Sequence, residues 1–135
     1  LRSLVGSEMC IRDSLKTAID WINKIGLDNI VSYEKELVDY ATEELSKIEG
    51  IRFIGQAQEK AGVISFLVGD IHPYDMGMIL DKLGVAVRTG HHCAQPVMDQ
   101  FCIPGTVRAS FAVYNTKEDV NRLVEGVKKA QTMLS

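Results

Sequence analysis

The sequence predicts an α+β domain, a small and mostly antiparallel sheet with helices packed on one face. Two observations carry this. The chain has 135 residues, 46% of them hydrophobic and 24% charged, which is the size and balance of one globular domain. Its periodic segments run helix, helix, strand, strand, helix, strand, loop, strand, helix, an order that suggests one layer of helices against one sheet.

Each element has its own signal. Leu15, Ala18, Ile19, Ile22 and Ile25 fall at helical spacing, and Gly26 stands where a helix C-cap belongs. A second helix is predicted over about Asn29–Lys47, with Ile30, Tyr33, Leu37, Tyr40, Ala41, Leu45 and Ile48 on its apolar side. The two leading helices are expected to pack together and against the sheet edge. Ile51–Ile54 is a short β-type run, Gly55–Lys60 a polar loop, and Val63–Val68 a nearly all-apolar central strand. Pro73 suits a first helical turn, and Met76, Ile79, Leu80 and Leu83 line that helix up to Gly84. Val85–Arg88 alternates as a strand, Thr89–Gln95 reads as a loop, and Pro96–Phe101 as a short helix. In Val107–Val113 the apolar Val107, Ala109, Phe111 and Val113 alternate with Arg108, Ser110 and Ala112. Asn115 or Thr116 can cap the last helix, whose stripe is Val120, Leu123, Val124, Val127, Ala130 and Leu134.

The net charge is −3, without a Lys/Arg cluster, so a nucleic-acid role lacks its electrostatic footprint. The longest apolar stretch, Val63–Val68, is far short of the ~20 residues that span a bilayer. Cys10, Cys93 and Cys102 are an odd set with no secretory signal, which points to reduced thiols and a cytoplasmic setting. No glycine-rich nucleotide loop occurs. Residues 1–14 (LRSLVGSEMCIRDS) lack a sustained apolar period and resemble translated adapter sequence. They are expected to be non-native, and the domain to span residues 15–135.

The chemistry concentrates in Val87-Arg88-Thr89-Gly90-His91-His92-Cys93-Ala94. This segment leaves a strand, passes a glycine, and places two imidazoles and a thiol in a loop. A thiol reacts as its thiolate, which a nearby cation favours. Arg88, His91 and His92 are such cations or potential cations, and spacing does not say which one faces the sulfur. The functional reading is a nucleophilic or sulfur-carrying Cys93; the bland one is a small buried hydrophobe. Arg108, on the polar side of its strand, could hold a carboxylate bidentately or simply be a solvated surface residue. Arg88 could instead pair structurally with Asp75 or Asp81. Cys102, between Phe101 and Ile103, reads as core, and His72 as the start of the helix that Pro73 opens. Three consecutive ligands rarely reach one ion, so a metal site is disfavoured.

RTGHHCAQP followed by VRASFAVYNT resembles the C-terminal part of class II cysteine desulfurases, also described as selenocysteine lyases. These belong to the class V aminotransferases among the fold-type I pyridoxal-phosphate enzymes. The resemblance covers Leu15–Ser135, and the cysteine after Gly-His-His marks the desulfurase branch. It implies that Cys93 is the catalytic nucleophile and takes sulfur from L-cysteine or L-selenocysteine as a persulfide, leaving alanine. It implies that Arg108 binds the substrate carboxylate, that Arg88 is an active-site arginine at the base of the loop, and that His91 and His92 shape that loop. A sulfur-acceptor protein of iron–sulfur cluster assembly and a homodimer of the complete enzyme are implied as partners. The Schiff-base lysine and the cofactor's other contacts lie in a large N-terminal domain not represented here, so no cofactor-binding residue is expected in this chain, and the chain alone is expected to be inactive. The alternatives are a stand-alone thiol or persulfide carrier without cofactor and, less favoured, a small metal module using His91, His92 and Cys93.

Overall fold

In the computed structural model the chain is described over residues 2–57 and 60–134, with side chains from residue 10 onward. It divides into two compact units between Ser32 and Tyr33. The first holds helix α1 (Arg2–Ile25) and the start of α2 (Leu27–Ser46). Gly26 separates them with φ 91°, a left-handed conformation that glycine reaches without strain. Its N–H closes on the Ile22 carbonyl at 2.9 Å, and the Asn29 side-chain amide donates to the Ile25 carbonyl at 2.7 Å. Leu15, Ile19 and Trp21 are exposed. Helix α1 runs through most of the segment set apart above; of that segment, residue 1 and the side chains of residues 2–9 lie outside the described residues.

The second unit carries the rest of α2, then β1 (Ile51–Ile54), β2 (Val63–Val68), α3 (Pro73–Lys82), β3 (Arg88–Gly90), α4 (Gln95–Phe101), β4 (Thr106–Ser110) and α5 (Lys117–Leu134). The sheet order is β1-β2-β4-β3 and every pairing is antiparallel. The loop expected over Gly55–Lys60 lies between β1 and β2, and its residues 58 and 59 are outside the described residues. Period-two alternation gives the sheet two different faces. Ile64, Phe66 and Val68 of β2 join Val107 and Ala109 of β4 in the core. There they meet Leu37, Ala41 and Leu45 of α2, Met76 and Leu80 of α3, and Val120, Val124 and Val127 of α5. These three helices therefore cover one face, as the pattern predicts.

The local starts follow known chemistry. His72 caps α3, its Nδ1 accepting from the Tyr74 N–H at 3.3 Å, and Pro73 occupies the first turn. Of the two possible caps of α5, Thr116 does the capping. Its N–H donates to Asp119 Oδ2 at 3.0 Å and its hydroxyl accepts from the Asp119 N–H at 3.4 Å. Asn115 instead braces the turn before it, accepting from the Ala112 N–H at 2.9 Å.

Several expectations are corrected. The strand expected at Val85–Arg88 pairs only over Arg88–Gly90. The Val85 N–H is still engaged by the Leu80 carbonyl at the end of α3, at 2.9 Å, so the chain joins the sheet three residues later. Thr89 and Gly90 are thus strand, and Gln95 already belongs to α4. Strand β4 stops at Ser110, short of Val113. Leu134 ends exposed rather than in the α5 stripe. Cys102 is exposed, not core: it terminates α4 in a left-handed conformation, φ 52°, which turns its side chain out of the layer. Among the described residues no helix is long and apolar enough to cross a membrane.

Candidate active site

The site is built on the sheet face opposite the helical core of α2, α3 and α5. Val107 and Ala109 point into the core, so Arg108 between them points away. Its registered neighbours are Ser65 on β2 and Arg88 on β3. Residues directly opposite in antiparallel strands share a face with Cβ atoms about 5 Å apart. The two arginine side chains therefore leave the sheet from facing positions on one side. Like charges so placed are unfavourable, and among the described residues neither arginine makes an ion pair. The pairing of Arg88 with Asp75 or Asp81 does not occur. Arg108 is half-buried, and its Nε is shut off from solvent without a hydrogen-bond partner. Such a group is costly unless something accepts from it. The arrangement suits a planar anion, since guanidinium forks match carboxylates.

Beyond β3 the chain makes a tight turn at His91–Ala94. The Ala94 N–H donates to the His91 carbonyl at 2.9 Å, with His92 at φ 53° and Cys93 at φ 58° between them. Two positive φ values in succession are the type I′ turn, which ordinarily takes Asn-Gly. Side chains other than glycine pay about 1–2 kcal/mol each for this region, so something must hold the turn. His92 does. Its ring Nε2 lies 2.9 Å from the Thr106 hydroxyl and 3.2 Å from the Thr106 carbonyl. A carbonyl oxygen can only accept, so Nε2 carries the proton and donates. Thr106 is 1% exposed and lies two residues before Arg108, on the same side of β4. Gly90 and Thr106 are partners across the strands. At the adjoining Gly105, φ 144°, an added Cβ would lie 2.9 Å from the Gly90 carbonyl carbon and oxygen. Only glycine permits that approach of β4 to the root of the turn.

His92 is also electrostatically set. Burial first, then the Arg108 charge, lowers its pKa from the ordinary 6.5, with Arg88 and His91 adding to the effect, while the hydrogen bond to the Thr106 backbone opposes it. The folded state therefore binds fewer protons here than the unfolded chain. The contribution to stability is complete above the unfolded value of about 6.5 and shrinks as pH falls through that value toward the lower folded one. Urea midpoints of the wild-type chain should drop on acidification through this window, and the part of the drop owed to His92 should vanish in His92→Gln.

The structure thus brings together Arg88, Arg108, His92 and the backbone of the Cys93 turn around β4. Cys93 and His91 are exposed. Thr106, Gly105 and Ser65 are the participants that sequence reasoning passed over. Thr106 had one legible signal, its even spacing from Arg108 along a strand. All three cysteines are free thiols. Among the described residues no group of three or more His, Cys, Asp or Glu could hold a metal ion. All nine lysines are exposed and none stands on a strand.

A profile described as aminotransferase class-V matches residues 12–123, and the chain belongs to that family. Within it, the similarity is to cysteine desulfurases. The cysteine desulfurase of Serratia proteamaculans is 47% identical over 120 residues, covering 89% of this chain and 29% of the relative. A probable cysteine desulfurase of Staphylococcus aureus is 48% identical over 122 residues, covering 90% of this chain and 30% of that protein. The crystal structure of an Escherichia coli cysteine desulfurase superposes with TM-score 0.81 at 35% identity, covering 87% of this chain and 29% of that one. The apo structure of the Thermococcus onnurineus enzyme gives 0.80 at 42% identity, covering 86% and 29%. The chain spans less than a third of the length of these relatives.

Proposed function

We propose that this chain is the sulfur-accepting, carboxylate-anchoring part of a cysteine desulfurase. One observation carries the proposal: two arginines at directly opposed positions on the sheet face away from the helical core, with the Cys93 turn tied to the same strand through His92 and Thr106. Arg108, assisted by Arg88, binds the α-carboxylate of L-cysteine or L-selenocysteine and fixes the direction of its side chain. The Cys93 thiolate attacks the substrate sulfur or selenium. A bond forms between Cys93 Sγ and that atom, and the substrate's Cβ–chalcogen bond breaks. The electron pair remains on Cβ, which takes up a proton, giving alanine and a Cys93 persulfide or its selenium counterpart. The means of weakening the Cβ bond is not among these residues: pyridoxal phosphate, which the family resemblance implies, would be held by the rest of such an enzyme. The exposed turn can then hand its sulfur to an acceptor protein of iron–sulfur cluster assembly, and the complete enzyme would be a homodimer acting in the cytoplasm.

The first test uses the chain by itself. Incubated with pyridoxal phosphate and cysteine, it should release no alanine above a protein-free blank. The second puts residues 15–135 in place of the matching part of the Escherichia coli relative. That complete enzyme should form alanine and a Cys93 persulfide. A folded, cofactor-loaded chimera that does neither overturns the proposal. If the isolated chain instead takes sulfur from an external persulfide as fast as the chimera transfers it, the carrier reading replaces the desulfurase one.

A further inference from the structure

We propose that His92 is a positioning residue: its neutral imidazole, bonded through Nε2 to both oxygens of Thr106, holds the His91–Ala94 turn in its left-handed form and thereby fixes where Cys93 is presented. Two features of the molecule converge on this. The turn contains neither Gly nor Asn at its centre, His92 and Cys93 being at φ 53° and 58°, so its conformation must be imposed from outside. The restraint that imposes it is also present. Thr106 is 1% exposed, sits in the ladder opposite Gly90, and offers Nε2 two oxygens at 2.9 and 3.2 Å. The contact is a side chain of the loop bonded to the framework, not a bond within the loop.

The ring is held best in its neutral form. Nδ1 is buried with no hydrogen-bond partner, so a second proton would have no acceptor there. The groups whose charge acts on the ring are Arg108 on β4, Arg88 on β3 and His91 in the loop, and each disfavours an imidazolium. Nε2–H donates to Thr106 in either form, and the Thr106 backbone bond by itself favours the charged ring. Burial and the two arginines oppose it and draw a protonated ring toward solvent, so the anchor is strongest while His92 is neutral. The inference rests on the proposed function for its meaning, because Cys93 is the thiol being presented, but it is measured without turnover.

The experiment uses the full chain with Cys10→Ser and Cys102→Ser, leaving Cys93 as its sole thiol. Hydrogen exchange at the Ala94 amide and alkylation of Cys93 by iodoacetamide are followed from about pH 5 to about pH 8, the range over which histidine titrates. His92→Ala should accelerate Ala94 exchange about tenfold or more and change the Cys93 alkylation rate. His92→Gln keeps an N–H donor near the Nε2 position, so it should restore most of the protection. The parent should lose protection on the acid side, whereas His92→Gln should not. Thr106→Val removes only the hydroxyl oxygen. It should give an intermediate loss, and it decides the matter if His92→Ala fails to fold. The proposal is overturned if His92→Ala leaves both rates within about twofold of the parent while the β2 amides stay protected. It is equally overturned if His92→Gln shows the same acid-side loss as the parent. Alanine release enters neither readout, so failure of the desulfurase reading and failure of this anchor are separate results.

Discussion

In the complete enzyme, Cys93→Ser should abolish sulfur transfer while leaving substrate binding intact. Removing the nucleophile of a reaction that depends on it costs several powers of ten, so alanine release should fall on the order of 10³-fold or more. The hydroxyl that replaces the thiol is far weaker as a nucleophile near neutral pH, because it does not ionise there. The fold should not notice. Cys93 is exposed, its side chain has no part in the core, and the turn is held by the backbone bond at Ala94 and by His92. KM for cysteine should therefore stay near its parent value, since Arg108 and Arg88 are unchanged. The measurement is steady-state alanine release together with mass spectrometry of the domain for added sulfur. A Cys93→Ser enzyme that still transfers sulfur at more than a tenth of the parent rate would remove Cys93 from the reaction.

Arg108→Met should have opposite effects on function and stability. Losing a two-pronged charged contact to a carboxylate costs about 3 kcal/mol, which raises KM for cysteine on the order of 10²-fold. Methionine keeps an unbranched apolar stem of similar reach along the half-buried path of Arg108. It also removes the like-charge opposition to Arg88, worth about 0.2–1 kcal/mol, and the buried Nε that has no partner. The variant chain should thus have a higher urea midpoint than its parent, most clearly at low salt. Arg108→Lys should keep the repulsion and lose the fork, giving weaker binding with no gain in stability. If Arg108→Met leaves KM unchanged in the complete enzyme, the carboxylate anchor lies elsewhere.

The order of elements was legible because periodicity and capping are local. Val63–Val68 shows its central position in its own composition, and Pro73 and Thr116 mark helix starts through bonds within a few residues. The errors arose where a distant partner decided. Val85–Val87 alternates like a strand, but the Leu80 carbonyl claims Val85 and the ladder opens only at Arg88. Cys102 has apolar neighbours, but a left-handed end to α4 places it outside. At the site, residue types were readable and their relations were not. Arg88 and Arg108 are twenty positions apart, and only the register of β3 on β4 makes them neighbours. The turn at His92–Cys93 was hidden because His-Cys is not a turn dipeptide, and its conformation depends on Thr106.

The two outer strands have a consequence for the sheet's borders. Strand β3 offers three residues and β1 four to a pairing chain. Both carry an exposed arginine, Arg88 on one border and Arg52 on the other. Short, charged borders are poor templates for a foreign strand. On the proposed function this side of the sheet must receive a substrate, so protection against strand addition would come from its margins. Both borders have that character, and one of their charges, Arg88, is also a residue of the candidate site.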